Sequence, residues 1–134
     1  MSKRFQKILL IDDDSVSNFL NEMALQEMDL SDEVHISENG EEALKFINRH
    51  FSSDGKYLEN YPDLIFLDIN MPVMDGFQFL EEFEKIPFTE KKPIKIVMLT
   101  SSNATQDLER AKKFNVEGYI VKPLCAEKIE ALFK

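Results

Sequence analysis

The chain has 134 residues, one domain's worth, and 43% are hydrophobic, enough for one sizeable core. Sixteen Lys and Arg against 25 Asp and Glu leave a net charge of −9, which argues against uniform binding of a phosphate backbone, since that needs a basic face. A single cysteine, Cys125, excludes an internal disulfide and a Cys-rich zinc site, and no apolar run approaches the about 20 residues of a membrane-spanning helix.

The opening residues MSKRFQ lead straight into a strand pattern and carry no signal-peptide core, so a soluble cytoplasmic domain is expected. Residues 7–12 (KILLID) form a continuous apolar run ending in acid, as suits a strand buried on both faces of a parallel sheet. Asp14 or Ser15 is placed to cap a helix reaching about Asp29, with Val16, Phe19, Leu20 and Met23 as its apolar, core-facing stripe. Residues 34–37 read as a short second strand. Asn39-Gly40 breaks the chain, and Ala43, Leu44 and Ile47 mark a second helix. Residues 51–62 read as a long loop.

Residues 63–68 (DLIFLD) are a third strand, again ending in acid. A turn at 71–76 follows, with Asp75 as a helix cap and Phe77, Leu80 and Phe83 at helical spacing. Pro87 and Pro93 bracket another loop. Residues 94–100 are a fourth strand, and Ala104, Leu108, Ala111 and Phe114 mark a helix. Residues 118–122 make a fifth strand, stopped by Pro123, and 126–133 a last helix. Strands alternating with helices imply an α/β fold: a doubly wound, five-stranded parallel sheet with helices on both faces.

Functional residues of such sheets gather beyond the carboxyl ends of the strands. There the sequence sets Asp12 and Asp13 after strand one, Asp68 after strand three, Thr100 with Ser101 and Ser102 after strand four, and Lys122 with Pro123 after strand five. Close carboxylates repel unless a cation neutralises them, and Mg²⁺ is the natural hard ion for such a set. With Asp13 and Asp68 on a metal, Lys122 on one phosphoryl oxygen and Thr100 on another, this is a site for phosphoryl transfer. Asp68 is the candidate nucleophile, since a carboxylate can form an aspartyl phosphate.

These stretches, ILLIDDD at 8–14, LIFLDINMPVMDG at 64–76, VMLT at 97–100 and GYIVKP at 118–123, resemble the receiver domains of two-component response regulators. The chain resembles the stand-alone, single-domain members of the chemotaxis and phytochrome-associated kind. The resemblance implies the flavodoxin-like strand order 2-1-3-4-5. It implies that Asp68 is the phosphoacceptor and Asp13 the direct Mg²⁺ ligand. Asp12 then mainly holds metal-bound water, and the backbone carbonyl of Asn70 is a further ligand. Thr100 and Tyr119 become the switch pair, Lys122 the charge partner, and Lys122-Pro123 a cis peptide. The separation of Asp13 from Asp68 is long for compact members, and the surplus falls in the 51–62 loop.

The expected reading is a single receiver domain over 1–134 with no output domain, since little chain follows Lys122. It takes its phosphoryl group from a histidine kinase or a histidine phosphotransfer protein and passes the signal by docking an unknown downstream protein. Neither nucleic acid nor membrane is an expected partner. Its only expected catalysis is its own phosphorylation and dephosphorylation. An aspartyl-phosphate hydrolase of the haloacid dehalogenase type is the first rival, but it usually needs an Asp where Asn70 stands, and a cap domain. A pure interaction module fits poorly with intact Asp13, Asp68, Thr100 and Lys122. A flavodoxin-type cofactor binder lacks a phosphate-cradling loop.

Overall fold

The computed structural model describes residues 4–49, 61–86, 94–101, 105–114 and 116–133. The elements alternate in chain order: β1 (Phe5–Ile11), α1 (Ser15–Met28), β2 (Ser31–Ser37), α2 (Gly40–Asn48), β3 (Leu64–Asp68), α3 (Gly76–Glu84), β4 (Lys95–Thr100), α4 (Thr105–Ala111), β5 (Gly118–Val121) and α5 (Ala126–Leu132). All strand pairs are parallel, and the sheet order is β2-β1-β3-β4-β5. Fold and strand order agree with the expectation from sequence. The register pairs Ile11 with Leu67, Asp68 with Leu99 and Thr100 with Val121. The carboxyl ends of four neighbouring strands therefore finish side by side.

The continuous apolar strands are buried on both faces, as parallel sheets require. On one face Leu9, Ile11, Ile65, Leu67, Ile96 and Met98 pack under α2, α3 and α4. On the other, Ile8, Leu10, Leu64, Phe66, Val97, Leu99 and Ile120 pack under Leu25 of α1 and Ile129 of α5. Each fully buried side chain of this kind contributes roughly 1.5–3 kcal/mol. Asp14, and not Ser15, caps α1, accepting from the N–H of Val16. Asp75 caps α3 in a reciprocal box with Gln78. Among the described residues no helix is long and apolar enough to cross a membrane.

One expectation is overturned. The stripe Val16, Phe19, Leu20 and Met23 does not face the core; these residues are 46–64% exposed. Helix α1 buries Asn18, Asn21 and Leu25 instead. At about 100° per residue the two sets point in nearly opposite directions. The inward face is dictated by where β1 delivers the chain and how the crossover packs on the sheet, and the apolar stripe is left outside. Smaller differences are in boundaries: β2 starts earlier than expected, α4 stops at Ala111 before Phe114, and β5 stops at Val121. The expected loops at 51–62 and 87–93 lie almost wholly outside the described residues.

Candidate functional site

β1 ends at Ile11, so the next residues leave the sheet at its edge. Asp12 is fully buried and Asp13 exposed. Asp12 is held at every polar atom. Its N–H donates to Ser37 O (3.1 Å), and its carbonyl accepts from Asn18 Nδ2 (2.9 Å). Its Oδ1 accepts from the Asp14 N–H (3.0 Å) and its Oδ2 from Lys122 Nζ (2.8 Å). Asp68 closes β3 and is 4% exposed. Lys122, from the end of β5, bridges the two acids, with its Nζ 3.2 Å from Asp68 Oδ1.

Oxygen atoms of Asp12, Asp13 and Asp68 all lie within 4.8 Å of one another. Three carboxylates so close, one of them open to solvent, could hold a hard divalent cation that takes oxygen ligands. The residues present therefore fit Mg²⁺, and Asp13 is the accessible carboxylate among them. Burial pushes the Asp68 carboxyl up to about 6, helped by the charge of Asp12 and opposed by Lys122. Burial pulls the Lys122 ammonium down, but the bond to Asp12 and the charge of Asp68 prevail and hold it above its usual range. Among the described residues, three carboxylates gather there and Lys122 bridges two of them.

Thr100 ends β4, is 2% exposed, and accepts the Lys122 N–H at its carbonyl (2.8 Å). Side chains alternate along a strand, so Thr100 shares a face with Met98, and Met98 pairs with Tyr119. Thr100 and half-buried Tyr119 are thus diagonal neighbours on the α4 side of the sheet. Asn70 lies two residues beyond Asp68 on the same loop, with an exposed side chain. The Lys122-Pro123 bond is cis, as the resemblance implied. The start of α3 presses on the same strand end: a Cβ on Gly76 would stand 2.7 Å from the Asp68 carbonyl oxygen. Ser101 is exposed; Ser102 lies outside the described residues.

Two residues around the site escaped the sequence reading. Asn18 bonds the Asp12 carbonyl, and Asn21 Oδ1 accepts from the Leu124 N–H (3.1 Å), just past Lys122. Their only signal was polar residues one turn apart on the helix, and it pointed towards solvent.

The comparisons bear on the family and the fold. Residues 8–134 match the model of the response regulator receiver domain. The chain is 32% identical over 119 residues to the chemotaxis protein CheY of Halobacterium salinarum, covering 88% of this chain and 85% of that protein. Among solved structures, a two-component response regulator from Cytophaga hutchinsonii superposes with a TM-score of 0.82 at 28% identity, covering 98% of this chain and 96% of that one. The bacteriophytochrome response regulator AtBRR gives 0.75 at 29% identity, covering 99% and 91%. The probable C4-dicarboxylate response regulator DctR of Halalkalibacterium halodurans is also similar, but this chain spans only 48% of it.

Proposed function

The chain belongs to the response regulator receiver domain family, and from that premise we propose that it is a phospho-acceptor switch whose acceptor is Asp68. The observation that carries this is the buried Asp68 carboxylate, set among Asp12 and Asp13 and touched by Lys122. A phosphohistidine of a histidine kinase or a histidine phosphotransfer protein is the donor. Asp68 attacks phosphorus in line, the P–N bond breaks, and imidazole leaves. Lys122 neutralises one phosphoryl oxygen, and the Thr100 hydroxyl donates to another. Asp12, Asp13, Asp68 and the Asn70 carbonyl would hold Mg²⁺, which would supply positive charge to offset the remaining negative charge. Water later hydrolyses the acyl phosphate at the same site. The chain's catalysis is confined to this self-modification.

Phosphorylation adds nearly two negative charges beside Thr100. Its hydroxyl moves to the phosphoryl group, and the ring of Tyr119 follows into the space beneath the loop after β4. Their shared sheet face supports this route. A cytoplasmic protein then reads the altered surface around α4, β5 and α5. A macromolecular donor is supported by the exposed apolar residues Val16, Phe19, Leu20 and Met23, which begin three residues after Asp13.

The test is intact-mass measurement after incubation with acetyl phosphate and Mg²⁺. Wild type gains one phosphoryl mass and Asp68→Asn gains none. Full labelling of Asp68→Asn would rule the acceptor out.

A further inference from the structure

Helix α1 buries amides where apolar side chains ordinarily sit. Of its three buried residues, two are Asn18 and Asn21, at 5% and 1% exposure. Asparagine is a poor residue for a helix interior, and a buried amide is costly unless fully bonded. Here the bonding is incomplete. Asn18 Oδ1 and Asn21 Nδ2 have no partner among the described residues. An apolar residue, packed as Leu25 is, avoids both costs, so stability does not account for the pair. What the amides do hold accounts for it better.

Between β5 and α5, the stretch 122–124 has only two backbone donors, because Pro123 has no N–H. The Lys122 N–H goes to Thr100 O, tying the loop to the sheet. The Leu124 N–H goes to Asn21 Oδ1, tying it to α1 in a buried bond. Lys128 also donates to the carbonyls of Val121 (2.8 Å) and Pro123 (3.1 Å), but from an exposed, flexible side chain. One turn earlier on the same helix face, Asn18 Nδ2 grips the Asp12 carbonyl. A single rigid face of α1 therefore holds both the backbone beneath the acidic pair and the loop that delivers the ammonium. Lys122 has a flexible stem and must reach two carboxylates at once, at 2.8 and 3.2 Å. A shift of its loop moves it off both.

We infer that Asn21 is a positioning residue for phosphoryl transfer: it fixes the loop that carries Lys122 by accepting the Leu124 N–H. The inference rests on the reading of Asp68 as acceptor. The experiment follows the labelling rate of the full chain with acetyl phosphate and Mg²⁺, well below the melting temperature. Asn21→Leu keeps the branched shape but is larger, Asn21→Ala is smaller, and both remove the acceptor; the second carries the test if the first does not fold. Each is expected to label about 10- to 100-fold more slowly, the loss typical of a misplaced catalytic group. In a Lys122→Ala background, followed over longer times, Asn21→Ala should cause little further slowing, because both act through one group. In wild type the Leu124 amide should exchange slowly with solvent. Unchanged rates in both apolar variants, equal slowing with and without Lys122, or rapid exchange at Leu124 would each overturn the inference alone. No label on wild type would overturn the acceptor reading as well.

Discussion

Asp68→Asn is expected to make the protein more stable near neutral pH while abolishing its phosphorylation. The carboxyl ordinarily titrates at 3.8, and in the folded site it is pushed up to about 6, chiefly by burial and then by the charge of Asp12. At about 1.4 kcal/mol per pH unit, that difference bounds the cost of ionising folded Asp68 at roughly 3 kcal/mol. The site opens to water at exposed Asp13, so solvent screening reduces this to about 1–2 kcal/mol. The sign follows from proton counting. Between the two values the folded state holds more protons than the unfolded one, so Asp68 costs stability as pH rises from about 4 to about 6. The amide has no such loss. It keeps an oxygen for Lys122, which also retains its 2.8 Å bond to Asp12. Urea unfolding with a chelator present should therefore place Asp68→Asn about 1–2 kcal/mol above wild type at pH near 7, or about 4–8 °C in melting temperature. The gap should close near pH 4, where folded Asp68 is protonated, and millimolar Mg²⁺ should narrow it at neutral pH. A variant no more stable than wild type at neutral pH, or a gap that persists unchanged into acid, would refute the reasoning.

Four further outcomes are expected. Val73 is 90% exposed and holds φ at 69°, a conformation that β-branched residues rarely adopt, so Val73→Asn should raise unfolding stability by about 1 kcal/mol in a urea titration. A Cβ on Gly76 would lie 2.7 Å from the Asp68 carbonyl oxygen and 3.0 Å from Ile69 Cα, both backbone atoms, so Gly76→Ala should cost at least about 2 kcal/mol and slow labelling by acetyl phosphate. Phe19 points outward, and Phe19→Gln should leave unfolding stability within about 0.5 kcal/mol of wild type. Thr100→Ala should still take label at Asp68, but beryllofluoride-induced NMR shifts should stay near Asp68 and not reach Tyr119.

Much of the fold and of the acidic cluster was legible in the chain order of residues. Apolar runs ending in acid locate strands, because a strand buried on both faces must be apolar along its length while polar groups gather past its carboxyl end, at the site. The alternation of strands with helical spacings then leaves a doubly wound sheet, and that topology alone brings Asp12, Asp13, Asp68, Thr100 and Lys122 to one edge. Asp75 was readable as a cap for a local reason: the bonds that define it reach only to Gln78.

Helix α1 was legible as a helix but not in its orientation. Periodicity reports that Val16, Phe19, Leu20 and Met23 share a face; it does not report which face meets the sheet. That is decided by the angle at which β1 hands over the chain and by the crossover to β2, and it turned Asn18, Asn21 and Leu25 inward. The same holds for the charge on Asp68. Sequence places a carboxyl at a strand end, but its raised affinity for a proton comes from the depth of the site and from Asp12, 56 residues earlier in the chain. The bond from the Leu124 N–H to Asn21 joins residues 103 apart. Local sequence determines what each segment is able to form, because those interactions span a turn or two. Tertiary packing decides which face is buried and which distant groups share a site, because burial and charge act through space and not along the chain.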